Sequence, residues 1–238
     1  MIDPVAEVRA FVRAALVVPV PRDHEESDSA FRRRRWVAGI TLVVGAAVLG
    51  WALRIEAGDS LFYVATVTLA CVWAVGALVS GPLHLGRAHT RTGTTDSRAV
   101  VQSLALGVLL LALFLAGALV VAHVPFLREP VDELLDHAQV GSLPLVALIT
   151  AVNGIAEELY FRGALYAAVG RRHGVLVTTL VYTLVTVPAG IPLLVLAAAI
   201  LGLVVGLQRR VTGGILGPTI THLTWSLGML FLLPLVLS

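Results

Sequence analysis

Residues 153–162 read NGIAEELYFR and place three charged side chains inside a long apolar segment. Glu157, Glu158 and Arg162 lie in a stretch that is otherwise uncharged from residue 143 to residue 169. A charge at the centre of a membrane helix costs about 2.5–3.5 kcal/mol, so three together indicate internal pairing or a functional task. On a helix Glu158 and Arg162 share a face and are expected to pair. Glu157 points about 100° further round the helix and is free to face a water or a substrate carbonyl.

The composition of the whole chain is that of a membrane protein. Of its 238 residues, 58% are hydrophobic and 13% are charged, whereas a soluble domain carries about 25% charged residues. Several uncharged runs are long enough to cross a bilayer as helices. All 17 basic residues are arginines, and most of them lie at the borders of these runs, so we expect a lipid bilayer, and no nucleic acid, as a partner. The predicted fold class is all-α, a polytopic transmembrane helical bundle.

The apolar runs predict about seven membrane spans. They lie at about residues 36–53, 61–83, 99–122, 143–169, 175–187, 192–207 and 215–237. Before the first span, apolar residues recur at intervals of three and four through residues 2–18. This pattern predicts a short amphipathic helix on the membrane surface, with a poorly ordered tail as the alternative. Residues 1–35 are therefore expected to form an amphipathic and basic N-terminal segment, and residues 36–142 the N-terminal transmembrane spans.

The arginines predict how the spans are oriented. Alternate loops place eleven arginines on one side of the membrane and two, Arg54 and Arg128, on the other. The eleven are Arg32, Arg33, Arg34, Arg35, Arg87, Arg91, Arg98, Arg171, Arg172, Arg209 and Arg210. Arginine accumulates in cytoplasmic loops, so we expect a multi-pass protein of the cell membrane with a cytoplasmic N-terminus and an external C-terminus. Glu157 and Glu158 then lie toward the cytoplasmic leaflet.

A second polar cluster lies in the last predicted span, where residues 217–226 read GPTITHLTWS. His222 and Ser226 are four residues apart and share a helix face. A histidine near two carboxylates can carry a proton, donate a hydrogen bond to an oxyanion or bind a metal. The alternative is that His222 makes interhelical hydrogen bonds for packing.

The two clusters resemble motifs of the CAAX-protease and bacteriocin-processing family of intramembrane proteases, also called the CPBP or Abi family. The first family motif is Glu-Glu-x-x-x-Arg followed by a small residue. It is matched in full by Glu157, Glu158, Arg162 and Gly163. The resemblance covers about residues 143–230, so residues 143–238 are expected to form a CPBP-like catalytic core.

The other two family motifs are matched in part. The third is a histidine followed four residues later by Asn or Asp, and here His222 is followed by Ser226. The second is an aromatic residue, a histidine four residues later, and commonly a proline two residues beyond. Tyr182 and Pro188 fill the outer positions, but Thr186 stands where the histidine is expected.

The resemblance implies a catalytic set of Glu157, Glu158, Arg162, Thr186, His222 and Ser226. Glu157 is expected to activate a water, Glu158 to pair with Arg162, and His222 to serve as oxyanion donor or metal ligand. Threonine binds zinc poorly compared with imidazole. The case for a divalent metal cofactor such as zinc is therefore weaker, although a metal remains an alternative. A mechanism that uses a glutamate and a water is favoured.

The leading hypothesis is an intramembrane endopeptidase that cleaves membrane-associated peptides or proteins in the cytoplasmic half of the bilayer. The alternative that Thr186 favours is a catalytically inactive relative that acts as a binding or immunity partner. A transporter would favour two similar halves with matched broken helices, and only the break at residues 188–192 is visible. A purely structural ion pair would leave one carboxylate unexplained. Substrate identity and oligomeric state stay open.

Overall fold

The computed structural model describes residues 3–21, 25–55, 59–90, 94–95, 97–128, 131 and 142–237. These residues are largely helical and contain no strand beyond one isolated bridge between Ala88 and Ser97. The main helices are α1 (Pro4–Val12), α2 (Asp28–Ala52), α3 (Leu61–Ser80), α4 (Val100–Val121), α5 (Leu143–Val169), α6 (Gly174–Thr186), α7 (Pro192–Thr212) and α8 (Leu216–Leu237).

Among the described residues, six helices are long and apolar enough to cross a membrane: α2, α3, α4, α5, α7 and α8. The fifth predicted span corresponds to a shorter apolar helix, α6 with the turn that follows it, Gly174–Ala189. The polytopic helical bundle predicted from hydropathy is therefore confirmed. Arg91, one of the eleven arginines counted above, lies outside the described residues.

Local sequence signals mark where several of these helices begin or end. The Ser27 and Ser142 side chains accept hydrogen bonds from the backbone at the starts of α2 and α5, as N-caps do. After α6 a short 3-10 turn, Val187–Ala189, leads to Gly190 with φ 72°. A residue with a side chain rarely adopts this conformation, which glycine tolerates. The break predicted around residues 188–192 is therefore present.

Helix α5 is the central element of the bundle. It packs on α3 and α8, while α2 packs on α3, α4 on α8, and α6 on α7. Gly202 and Gly206 of α7 face α6, where an added Cβ would lie 3.4 Å from Thr179 and 3.3 Å from Val175, respectively. These two glycines therefore let α6 and α7 approach closely.

The charged motif lies on a widened turn inside α5. Residues Glu158–Leu165 form a π-helical segment between α-helical residues Leu143–Glu157 and Tyr166–Val169. Such segments are rare and occur frequently at functional sites. The aromatic side chains Trp73, Tyr160 and Phe161 hold this segment against α3, with ring centroids 4.5–5.2 Å apart. The sequence spacing did not predict the π-helical turn.

The N-terminal segment lies at the arginine-rich end of the bundle. Helix α1 continues into a π-helical turn, Arg13–Val17, and the valines of α1 are exposed. The backbone N–H of Val20 donates to the Val211 carbonyl at 2.9 Å, and Arg210 donates to the Leu16 carbonyl at 3.3 Å. The short helix predicted near residues 2–18 is present, with an apolar surface available to a membrane.

Candidate active site

A buried ion pair joins the second glutamate of the motif to its arginine. Arg162 Nη1 donates to Glu158 Oε1 at 2.9 Å, and both side chains are fully buried. The pairing expected from their spacing is therefore observed. Because a buried charge is retained only when it is paired and hydrogen-bonded, this contact explains how Glu158 and Arg162 are held inside the bundle.

The histidine of α8 completes this ion pair. His222 Nδ1 lies 2.9 Å from the same oxygen, Glu158 Oε1. A carboxylate only accepts hydrogen bonds, so the Nδ1–H group of His222 donates a hydrogen bond to Glu158. The structure therefore brings the imidazole next to the motif, as the resemblance implied, but its direct partner is Glu158 and not Glu157. His222 is 5% exposed.

The first glutamate of the motif faces another direction. Glu157 is partly accessible, and its Oε2 accepts a 2.7 Å hydrogen bond from the Tyr182 hydroxyl of α6. The Tyr182 ring lies 4.6 Å from the Arg162 guanidinium and packs edge-on against Phe161 at 4.9 Å. Tyr182 therefore touches both halves of the site, since its ring contacts Arg162 and its hydroxyl contacts Glu157.

Glu157 opens onto a cavity of about 200 Å³. Tyr182 and Thr186 also line this cavity, and the other lining residues are aliphatic or aromatic. The other lining residues are Leu49, Leu53, Leu69, Trp73, Phe161, Val185, Ala189, Leu194, Ala197, Ala198, Leu201 and Trp225. Of the described residues in the wall, Glu157 is the only acidic one. The cavity is therefore a largely apolar space with a single carboxylate in its wall.

Two predicted site residues, Thr186 and Ser226, make no hydrogen bond to either glutamate of the motif. Thr186 lies in the same cavity as Glu157, but its hydroxyl donates to the Tyr182 carbonyl at 2.9 Å. Ser226 is outside the cavity wall, and its buried hydroxyl has no hydrogen-bond partner among the described residues. The structure thus groups Thr186 with Glu157 on one side, and Glu158, Arg162 and His222 on the other.

Sequence reasoning missed the role of the Tyr182 hydroxyl, because Tyr182 was assigned only as the aromatic residue of the second motif. The available signal was the residue type, since a buried tyrosine hydroxyl generally finds a hydrogen-bond partner.

It also missed a polar network that fixes α8. Gln208 donates to Ser103 at 2.8 Å, and Thr221, the neighbour of His222, donates to Gln208 at 2.9 Å. This network joins α4, α7 and α8 immediately beside the imidazole.

The arrangement of acidic and imidazole groups does not suit a metal ion. Over the ranges that the structure describes, no group of three or more His, Cys, Asp or Glu side chains is placed to hold one. Glu158 Oε1 is already occupied by Arg162 and His222, and Thr186 is a weak ligand where a histidine is expected.

These observations define a multi-pass helical membrane protein with a buried carboxylate, guanidinium and imidazole cluster beside an apolar cavity. Residues 139–228 match the family model described as type II CAAX prenyl endopeptidase Rce1-like. This match, which spans more than a third of the chain, contains every candidate site residue and is consistent with a CPBP family intramembrane protease. It confirms the resemblance inferred from the motifs. No curated protein and no solved structure matches the chain.

Proposed function

We propose that this protein is an intramembrane endopeptidase that hydrolyses peptide bonds of membrane-associated substrates with water activated by Glu157. The placement of the two glutamates carries the proposal. Glu158 is locked between Arg162 and His222, whereas Glu157 faces a cavity large enough for part of a peptide. The match of residues 139–228 to a protease family supports the same conclusion.

In this mechanism Glu157 is the general base. Tyr182 holds Oε2, which leaves Oε1 to accept a proton from a water in the cavity. The oxygen of that water forms a bond to the carbonyl carbon of the scissile peptide, giving a tetrahedral intermediate. The C–N bond then breaks, and the proton held by Glu157 passes to the departing amine. Glu157 is thereby returned to its ionised form, so one water is consumed for each peptide bond cleaved.

The buried cluster acts as the support for this base. Glu158 and Arg162 anchor the π-helical turn of α5, and His222 ties that turn to α8. Arg209 adds a further contact, since its Nε donates to the Arg162 carbonyl at 2.6 Å. Because a catalytic group must be held in place by its surroundings, we assign Glu158, Arg162 and His222 to positioning Glu157.

The test is hydrolysis of membrane peptides by Glu157→Gln, which keeps the shape of the side chain and removes its basicity. We expect cleavage to fall by about 10²–10⁴-fold, the usual contribution of a general base. Glu25→Gln changes an exposed glutamate outside the spans and is expected to cleave as the native protein does. Full turnover by Glu157→Gln would refute the role of this residue.

A second candidate is a catalytically inactive protein that binds a membrane partner. The observation that favours it is Thr186, whose hydroxyl is bonded to the Tyr182 carbonyl and which cannot take up charge. The two candidates differ in their response to Thr186→His, which restores the family residue beside Glu157. A protease should gain up to about 10²–10⁴-fold in rate from an added acid–base group. A pure binding protein should show no cleavage before or after the change.

A further inference from the structure

The cavity beside Glu157 is closed at one end and open at the other. Its closed end is formed by Trp73, Phe161 and Leu201, which are each 1% exposed. At its other end lie Leu53, which is 39% exposed, and Leu194, which is partly exposed. We call the buried end, at Trp73, Phe161 and Leu201, the floor of the cavity. The exposed end, at Leu53 and Leu194, is its mouth.

The mouth lies at the arginine-poor end of the bundle, opposite the end that carries most of the arginines. Leu53 directly follows the last residue of α2, whereas the arginines of α2 lie in its first turns. Leu194 lies in the first turn of α7, and Arg209 in the last turn. At 1.5 Å per residue, the fifteen residues between Leu194 and Arg209 span roughly 22 Å.

Buried side chains separate the cavity from the arginine-rich end. Phe161 in the cavity floor and the Glu158–Arg162 ion pair next to it are buried. The cavity at the arginine-rich end is a different one, lined among others by Gly163, Tyr166 and Arg209, and the two cavities share no lining residue. A peptide would therefore meet this layer before it reached Glu157 from the arginine-rich end.

The size and chemistry of the cavity limit what it can hold. An apolar cavity of about 150 Å³ accommodates benzene, so a cavity of about 200 Å³ suits one aliphatic or aromatic side chain. It is too small to enclose a long isoprenoid chain. Ala197 and Ala198 leave room in one wall, and leucines at residues 49, 69 and 201 form much of the remainder.

From these observations we propose that the substrate is a membrane peptide that enters from the arginine-poor face and inserts one apolar side chain into the cavity beside Glu157. The arginine distribution predicts that this face is the external one. The direction of entry is therefore opposite to the cytoplasmic access expected from the sequence. This inference rests on the proposed protease function, and it specifies the side of access and the class of substrate.

The side of access can be tested without any cleavage assay. In a Cys71→Ala background, single cysteines are placed in the cavity (Ala198→Cys), at the arginine-poor face (Ser60→Cys) and at the arginine-rich face (Arg171→Cys). A small, charged, membrane-impermeant thiol reagent is added to intact cells or to inverted membrane vesicles. We expect Ala198→Cys to react from the same side as Ser60→Cys and from the side opposite to Arg171→Cys.

Two results of the labelling experiment would overturn the inference. Reaction of Ala198→Cys from the side of Arg171→Cys would place the mouth at the arginine-rich end. Failure to react from either side, while both controls react, would mean that the cavity has no opening at the arginine-poor face. Neither result depends on whether the protein is a protease, so failure of this inference is distinguishable from failure of the proposed function.

The class of side chain is tested by filling the cavity. Ala198→Leu narrows the wall, while Ala199→Leu makes the same change next to it, outside the lining. Peptides that differ only in alanine or leucine next to the cleaved bond are compared by kcat/KM. We expect Ala198→Leu to lower the preference for leucine by about tenfold or more, since a single methylene in a pocket is already worth that much. An equal effect of both variants, or no effect, would refute the assignment of this cavity to the substrate side chain.

Discussion

Removal of the Tyr182 hydroxyl tests whether its hydrogen bond to Glu157 positions this carboxylate as the general base. Tyr182→Phe deletes one atom, the oxygen that donates to Glu157 Oε2 at 2.7 Å. The ring can keep its place 4.6 Å from Arg162 and 4.9 Å from Phe161, because neither contact uses the hydroxyl. The variant therefore changes the orientation of the carboxylate while it preserves the packing of α6 on α5.

The size of the expected effect follows from the type of hydrogen bond. A hydrogen bond to a charged group contributes about 1.5–3 kcal/mol. If that free energy is lost from the transition state, the rate falls roughly 10- to 150-fold. We expect the loss in kcat, with KM little changed, because Tyr182 positions the base and the peptide contacts the apolar wall. Steady-state cleavage of a membrane peptide in detergent or in vesicles measures both constants.

Tyr160→Phe is the matched control. The Tyr160 hydroxyl donates to the Ala38 carbonyl at 2.7 Å and joins α5 to α2 away from Glu157. Its loss should cost about 1 kcal/mol of stability, the value of a neutral hydrogen bond, and leave kcat unchanged. An unchanged kcat in Tyr182→Phe, or an equal fall in both variants, would show that the Tyr182 hydroxyl does not position the base.

Two further predictions concern stability, measured by thermal unfolding in detergent. Glu158→Gln leaves the Arg162 charge buried without its partner and should cost about 3–5 kcal/mol; unfolding like that of the native protein would mean that the ion pair does not anchor α5. Gly45→Ala should cost about 1–3 kcal/mol or more, because the added Cβ would overlap the Trp73 ring. Gly39→Ala on the same helix enters open space and should be neutral or slightly stabilising; equal effects of the two alanines would contradict the close packing of α2 on α3.

The response of the cleavage rate to Thr186→His distinguishes the two candidate functions. If Thr186→His raises the cleavage rate, the native chain is a slow member of a protease family and the Tyr182 contact is part of its working site. If no variant cleaves any membrane peptide, the labelling experiment still determines which face of the bundle the cavity serves. The same cavity would then be the place where a membrane partner inserts an apolar side chain.

Local sequence information was sufficient for the spans and for one contact of the site. Membrane helices are recognisable because each must be apolar over a length that matches the bilayer. The pairing of Glu158 with Arg162 was predictable because both lie on one helix and their spacing places them on the same face. The motif spacing also identified His222 as a site residue, since the resemblance to a protease family rests on residue types at set intervals.

Tertiary structure decided the remaining contacts. His222 is 64 residues from Glu158, and Tyr182 is 25 residues from Glu157, so both contacts depend on how α6 and α8 are rotated against α5. That rotation is set by side chains on several helices, including the aromatic cluster around Trp73.

The direction in which the cavity opens has the same origin. It depends on how the ends of α2, α6 and α7, which carry Leu53, Thr186 and Leu194, are placed against one another. No local pattern specifies this placement, because the free energy that determines it comes from contacts between residues far apart in the chain.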